Sequence, residues 1–379
     1  MLLLITVLFS VWTLVYVYQG GKEVNDHVVS IFVLACMSVF PFWGWLYKLE
    51  HGQGMHLFDF LLVLGPFSMW ALFWILARRK DAGWRMGLAY FSQLSYSFAL
   101  WTWGFGILIF PFLWWFKMSP WQPWMLGLVC ICTVWGCAWV YLRKHQVRVI
   151  PIGKMGIRVI QLSDLHVSPV MRSIDVHALI EKCMGLNPDV LVLTGDLIMP
   201  FSEDSHAFLI DALRKVTVPI IGCLGNHDLP VENVLVKELR DIGVHVLIDS
   251  QETLVIRGHR IEWIGLQFQW RDSKGHYERV MSQYSQSTAD LRILLAHDPR
   301  YFRVVEPSHF KLMLSGHTHG GQFGLNMIGL PVSFFRPLGF IDQGIFRKGN
   351  LIAYVHKGNW HTGLPPRVGI APEIAVFEL

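Results

Sequence analysis

Five long apolar segments fill the first part of the chain, and they constrain its fold more than any other feature of the sequence. The segments are 2–18, 28–46, 57–77, 89–116 and 124–142. A helix needs about 20 apolar residues to cross the hydrocarbon core of a bilayer. The segments therefore predict an all-α, multi-span transmembrane domain of about five helices over residues 1–147. The long fourth segment leaves four or six spans open.

Charge and tryptophan content both change at the end of this region. Residues 1–147 contain 9 of the 32 Lys and Arg residues, 5 of the 28 Asp and Glu residues, and 14 of the 17 tryptophans. Residues 148–379 contain equal numbers of basic and acidic residues, so their net charge is zero when histidine is neutral. This part of the chain is also long enough to bury a hydrophobic core. The sequence thus predicts a soluble domain over 148–379. Its neutrality gives no electrostatic reason to expect nucleic acid as a partner, and no protein partner can be inferred.

The basic residues between the apolar segments predict an orientation. Arg78, Arg79, Lys80 and Arg85 lie between the third and fourth segments, and Arg143, Lys144 and Arg148 follow the fifth. Cytoplasmic loops are enriched in Lys and Arg. With five spans, we expect a multi-pass inner-membrane protein whose soluble domain is cytoplasmic. With six spans, that domain would lie on the opposite side of the membrane.

Short apolar runs alternate with helical patterns from residue 157 onward. Strand-like runs such as IRVIQL, DVLVL and VPIIGC are separated by helical patterns at 174–186 and 203–215, and another helical pattern covers 232–241. This βαβαβ succession predicts an α/β domain with a mostly parallel, buried sheet.

Polar residues follow five of the strand-like runs at the point where each run ends. They are Asp164 and His166, then Asp196, then Asn226 and His227, then His297, and finally His317 and His319. Each motif alone is typical of a turn or a helix cap. Ligands bind outside the carboxyl ends of strands in open α/β sheets. Five such motifs in chain order therefore indicate a single site built from carboxylate, amide and imidazole groups, as a metal centre requires.

The blocks DLH, GD, GNHD, AHDP and GHTHGGQ resemble those of the calcineurin-like metallophosphoesterases over roughly residues 156–379. GHTHGGQ and the C-terminal segment resemble, more narrowly, the bacterial membrane-associated branch of that superfamily. The resemblance implies a four-layer αββα sandwich that holds two divalent metal ions about 3.5 to 4 Å apart.

The same resemblance implies a role for each motif residue. One ion would be held by Asp164, His166 and His319, the other by Asn226, His297 and His317, with Asp196 bridging both. A donor set of nitrogen and oxygen without thiolate suits Mn, Fe or Zn better than Mg or Ca. We favour manganese, and iron or zinc remains open.

The implied mechanism is attack on phosphorus by a metal-bridged hydroxide. In the family resemblance, His227 donates a hydrogen bond or proton to the leaving oxygen, with Asp228 as a candidate for orienting it. Asn226 and His227 would then contact the substrate. Lys357 and Arg367, in the family-like closing segment, are further candidates for substrate contact, although a lysine cannot clamp a phosphate through two parallel hydrogen bonds as an arginine can.

The predicted function is that of a membrane-integral phosphohydrolase. It would cleave a phosphoester or pyrophosphate bond in a lipid-linked substrate, placing it in lipid metabolism, because five spans exceed what anchoring requires. The alternative is a membrane-tethered phosphodiesterase of a soluble nucleotide. A non-catalytic signalling or scaffold protein is a third interpretation, since a fold does not dictate a function.

Overall fold

The computed structural model describes residues 145–167, 173–199, 205–284, 286–321, 336–360 and 369–379, with residues 324, 326, 330, 332, 333 and 367 between them. The predicted transmembrane domain, apart from its last three residues, lies outside the described residues, and so do its span number and orientation. Among the helices of the described part, none is both long and apolar enough to cross a membrane.

The described residues form twelve strands and four α-helices. The strands are β1 (Gln146–Pro151), β2 (Arg158–Leu162), β3 (Val190–Thr194), β4 (Ile220–Cys223), β5 (His245–Val246), β6 (Ser250–Ile256), β7 (His259–Leu266), β8 (Leu291–Ala296), β9 (Leu312–Ser315), β10 (Gly344–Lys348), β11 (Leu351–Val355) and β12 (Glu373–Glu378). The helices are α1 (Ser173–Met184), α2 (Ser205–Leu213), α3 (Glu232–Asp241) and α4 (Ser273–Gln283). The predicted helices match α1, α2 and α3 to within two residues at each end, whereas α4, β1 and β10 are additions to the predicted pattern.

The strands make two six-stranded mixed sheets. The first has the order β1-β12-β2-β3-β4-β5, and the second has the order β10-β11-β9-β8-β7-β6. In the first sheet β2, β3, β4 and β5 are parallel, and β12 runs antiparallel to β2. In the second sheet β7, β8, β9 and β11 are parallel, with β6 and β10 as antiparallel edges. The expectation of mostly parallel strands is correct.

Apolar side chains stack the two sheets and the helices into four layers. Val192 of the first sheet and Trp263 of the second belong to one buried cluster between the sheets. Helices α1, α2 and α3 pack against the outer face of the first sheet, where Leu209 of α2 is fully buried. Helix α4 covers the outer face of the second sheet through Tyr277. Both faces of each sheet are covered, which explains why β3 reads as the continuous apolar run VLVLT.

The two sheets meet at the carboxyl ends of their parallel strands. Gln161 of β2 donates from Nε2 to the carbonyl oxygen of Ser315 of β9, at 2.9 Å, and to Thr194 Oγ1, at 2.8 Å. Glycine lets the loops beyond these strands approach closely: a Cβ on Gly225 would lie 2.1 Å from Asp196 Oδ1, and one on Gly316 would lie 1.9 Å from Ser163 Oγ. The predicted site residues follow these strands.

Candidate metal centre

Five of the predicted metal ligands have left-handed backbone conformations. Asp164, His166, Asp196, His317 and His319 have φ values between 44° and 72°. Such conformations are uncommon for residues other than glycine. Each costs on the order of 1 to 3 kcal/mol and persists where the surrounding structure enforces it, commonly at functional sites. The backbone thus turns sharply at each strand end and directs these side chains into one place.

Four of these side chains form the first ligand group, which comprises Asp164, His166, Asp196 and His319. One ligand atom of each lies within 4.8 Å of the others, and all four residues are buried. The Nε2 atoms of His166 and His319 are 3.0 Å apart, and His319 Nε2 is 3.3 Å from Asp164 Oδ1. Two ring nitrogens that face each other and two carboxylates suit a shared divalent cation.

The second ligand group comprises Asp196, His297 and His317. His297 donates from Nδ1 to the carbonyl oxygen of Thr194 at 2.7 Å. This bond fixes the ring so that Nε2 faces Asp196 Oδ2 at 3.2 Å. Metal-bound histidines usually make such a bond through their other ring nitrogen. Within the described part of the chain, Asn226 Oδ1 is buried without a hydrogen-bond partner, as a ligand oxygen would be.

Asp196 is the residue that the two ligand groups share. Its Oδ2 lies 3.6 Å from His166 Nε2 in the first group and 3.2 Å from His297 Nε2 in the second. Its Oδ1 accepts a hydrogen bond from the backbone N–H of His227 at 2.9 Å. Asp196 is thus the carboxylate that lies close to imidazole nitrogens of both ligand groups. The assignment of each residue to an ion stays a prediction.

The donor set fits divalent metal ions that prefer nitrogen and oxygen. Cys183 and Cys223 are both free. Burial raises the pKa of each of these thiols to about 12, so they remain protonated at neutral pH. The described centre therefore offers imidazole, carboxylate and amide ligands without thiolate, a set that suits Mn, Fe or Zn.

Metal binding is expected to strengthen as the pH rises. Burial disfavours the charged form of His297, but the carboxylates of Asp196 and Asp164 outweigh this and raise its pKa from 6.5 to about 10. His297 is therefore protonated at neutral pH without metal, and it must lose that proton to become a ligand. We expect affinity to rise about tenfold per pH unit for one displaced proton.

Calorimetric titration of Mn²⁺ in buffers of different ionisation enthalpy measures both the affinity and the number of protons released. An affinity that does not change with pH, with no proton released, would contradict the role of His297.

His227 lies at the rim of the centre and not among the ligand groups. Its ring stands edge-on to that of His166, with 4.9 Å between the ring centroids, and the residue is partly exposed. Asp228 does not serve as the expected orienting group. Its carboxylate accepts hydrogen bonds from the backbone N–H groups of Leu197, Ile198 and Gly225. These hydrogen bonds connect the loop after β3 to the loop after β4.

The two basic candidates for substrate contact differ in how far protein groups engage them. Lys357 is 5% exposed, and its Nζ lies 3.2 Å from Glu373 Oε2. Arg367 is fully buried, and its Nη2 donates to the carbonyl oxygens of Lys357 and Trp360 at 2.5 and 2.6 Å. Its Nε and Nη1 are buried without a hydrogen-bond partner in the described part of the chain. Their contact with substrate stays a prediction, and the observed contacts favour a structural role for Lys357.

An aromatic pair beside the second ligand group went unnoticed in the sequence. The Phe268 ring is buried, with its centroid 5.4 Å from that of His317 and 5.9 Å from that of His297. Trp270 packs edge-to-face on Phe268 at 4.9 Å and is 59% exposed. Both residues belong to the motif FQW that follows β7, where they are two positions apart. This motif is the sequence feature that could have indicated the pair.

The comparisons with known proteins identify the family to which the chain is similar. Residues 157–321 match the family model described as calcineurin-like phosphoesterase. The chain is 32% identical over 255 residues to the uncharacterized metallophosphoesterase YkuE of Bacillus subtilis, covering 63% of this chain and 87% of that protein. It is 26% identical to the phosphodiesterase YaeI of Escherichia coli, covering 64% and 88%, respectively.

The name of a third relative describes a transmembrane protein that has a metallophosphoesterase domain. It is the "Transmembrane protein with metallophosphoesterase domain" of Danio rerio, 29% identical over 61% of this chain and 56% of that protein. The family match, the relative at 32% identity and the arrangement of Asp and His side chains lead to one conclusion. The chain belongs to the calcineurin-like metallophosphoesterase family and is a metal-dependent phosphoester hydrolase.

Proposed function

We propose that the protein is a membrane-integral, dinuclear-metal phosphohydrolase that cleaves a phosphoester or pyrophosphate bond in a lipid-linked substrate. The observation that carries the dinuclear centre is the Asp196 carboxylate, which lies within 3.6 Å of imidazole nitrogens from both ligand groups. Manganese is the ion that we favour, with iron or zinc as alternatives.

Two divalent ions at this centre would acidify a water molecule for attack and neutralise the charge that develops on the phosphoryl oxygens. Two residues of the chain have the remaining roles in the proposed reaction. Asp196, held by the backbone N–H of His227, keeps the two ligand groups at a fixed separation. The His227 side chain, at the exposed rim, is placed to donate a proton to the leaving oxygen.

The lipid-linked substrate is supported by the aromatic pair. Asn226, His227 and His317 are the partly exposed members of the centre, whereas the other ligands are buried. Phe268 and Trp270 continue from His317 to the surface. A leaving group that extends from phosphorus past His317 would therefore meet an apolar wall. The apolar segments of residues 1–147 support delivery of such a substrate from a bilayer.

Trp270→Ala is expected to weaken the preference for long acyl chains. Losing an apolar contact of this size costs about 1.5 to 3 kcal/mol, equivalent to roughly a 10- to 100-fold reduction in kcat/KM. We expect this loss on a long-chain phospholipid phosphoester, a smaller loss on its short-chain analogue, and partial recovery in Trp270→Phe.

Phe208→Ala is the matched control, because Phe208 is an exposed aromatic residue on α2 in the outer helical layer. An equal effect of Trp270→Ala on both chain lengths would argue against an acyl-chain contact.

Hydrolysis of a soluble nucleotide diester is the second candidate. One relative is named a phosphodiesterase, and an exposed tryptophan can also stack on a nucleobase. The two candidates differ in their substrate dependence. If Trp270→Ala reduces kcat/KM for a cyclic dinucleotide and leaves the lipid substrates unaffected, the nucleotide is favoured. A scaffold role without catalysis requires that no phosphoester be turned over at all.

A further inference from the structure

The loop of residues 356–360, which we call the closing loop, runs from the second sheet to the first beside the metal centre. It follows β11, where Val355 lies opposite Ser315 of β9, and His356 donates from its backbone N–H to the Ser315 carbonyl oxygen at 2.8 Å. Because β9 leads into the segment with His317 and His319, the closing loop leaves its sheet next to these two residues.

Asn359 fastens the closing loop to the end of β2 in the first sheet. Its backbone N–H donates to the Ser163 carbonyl oxygen at 2.9 Å, and its Oδ1 accepts from the Ser163 backbone N–H at 2.9 Å. Its Nδ2 donates to the carbonyl oxygen of Glu373 at 2.6 Å. The Asn359 side chain is fully buried. Asn359 thus satisfies both polar backbone groups of Ser163, the N–H through its side chain and the carbonyl oxygen through its backbone.

Trp360, the next residue, contacts two members of the first ligand group through its backbone. Its N–H donates to the Asp164 carbonyl oxygen at 3.1 Å. Its carbonyl oxygen lies 3.2 Å from His319 Nδ1, and it also accepts a hydrogen bond from Arg367. A proton on His319 Nδ1 would leave the lone pair of Nε2 directed at the centre. Arg367 Nη2 lies 3.3 Å from the same Nδ1 atom.

Gly358 shows how closely the closing loop approaches these ligands. A Cβ at this position would lie 3.0 Å from His319 Nδ1 and 3.1 Å from the Asp164 Cβ. Its φ of 78° is a conformation that glycine adopts without strain. The backbone of the loop therefore lies in direct contact with both ligands.

A buried ion pair anchors the other side of the closing loop. The Glu373 carboxylate accepts hydrogen bonds from the Lys357 backbone N–H at 3.0 Å and the Tyr354 hydroxyl at 2.8 Å, and it pairs with Lys357 Nζ. The Glu373 carbonyl oxygen binds Asn359. Glu373 of β12 thus holds the closing loop at two positions, Lys357 and Asn359.

We infer that Asn359 is a positioning residue that sets the metal affinity of the first ligand group separately from that of the second. None of the closing-loop hydrogen bonds in the described residues reaches the side chain of Asn226, His297 or His317. This inference rests on the proposed dinuclear centre. A substitution of Asn359 should therefore weaken the binding of one ion and leave the binding of the other unchanged.

The test is a Mn²⁺ titration of the full-length protein, read by calorimetry and by electron paramagnetic resonance, which separates coupled pairs of ions from single ones. For Asn359→Ala we expect about 10- to 100-fold weaker binding of one ion, little change for the other, and a single-ion signal at low Mn²⁺. Asn359→Asp has the same shape and keeps the acceptor for Ser163, so we expect a smaller loss at the same ion and a folded protein.

Glu262→Gln is the matched control, since Glu262 is buried and paired with Arg292 where β8 begins, at the end of the strand opposite His297. It should leave both affinities unchanged. Equal weakening of both ions, or of neither, in folded Asn359→Asp protein would overturn the inference. Wild-type protein that binds fewer than two ions would instead contradict the dinuclear centre.

Discussion

Asp196→Asn is expected to abolish hydrolysis while leaving the protein folded. The amide has the same shape as the carboxylate but no charge, and its NH₂ group cannot bind a cation. Since both ligand groups lose their shared ligand, kcat/KM should fall by more than about 1,000-fold, beyond the 10- to 100-fold cost of changing a residue that supports a ligand. The measurements are kcat/KM on a phosphodiester and metal content per chain.

Asp189→Asn is the matched control for this substitution. Asp189 directly precedes β3, whereas Asp196 follows it, so the two carboxylates lie at opposite ends of one strand. Asp189 accepts hydrogen bonds from the Arg158 backbone N–H and from Arg257, and its loss should affect stability and not turnover. Full activity of Asp196→Asn would refute the bridging role of Asp196.

His227→Ala is expected to lower kcat by about 100- to 10,000-fold, the usual contribution of a general acid. The His227 side chain lies outside both ligand groups, so the variant should retain its metal content. The loss should be large for an alkoxide leaving group. It should be small for an acidic phenol, which departs without a proton.

The dependence on the leaving group separates proton donation from a structural role. His177→Ala is a suitable control, because His177 lies on α1 and pairs with Asp211 of α2 in the helical layer. An equal loss of kcat for alkoxide and phenol substrates would remove the assignment of His227 as a proton donor.

Much of the fold of the described residues could be predicted because its parallel strands are buried on both faces. Strand β3 is a continuous apolar run and helix α3 matches its predicted bounds of 232–241. Strand β1 was not predicted, because its short pattern QVRVIP lies between the basic end of the fifth apolar segment and the first strand-like run. Helix α4 is mostly polar, yet Asp272 accepts a hydrogen bond from the Gly275 N–H as its N-cap, and this spacing was a usable signal.

The positions of the candidate ligands could be predicted because each follows a strand end, and parallel strands bring their ends together. The partners of these residues could not. Asn359 and Ser163 are 196 residues apart, and no local pattern connects them. Lys357 and Arg367 carry charges that suit phosphate. The sequence does not show that Glu373 pairs with Lys357 or that Arg367 Nη2 binds two carbonyl oxygens, because this depends on how β11 and β12 meet.

Phosphorus NMR of a bacterial lipid extract tests the central claim most directly. The extract is incubated with Mn²⁺ and full-length protein, with Asp196→Asn as the control. We predict a new phosphorus resonance with the wild-type protein alone, and its chemical shift identifies the bond that was cleaved. An unchanged spectrum, from protein that still hydrolyses a generic diester, would contradict a lipid-linked substrate.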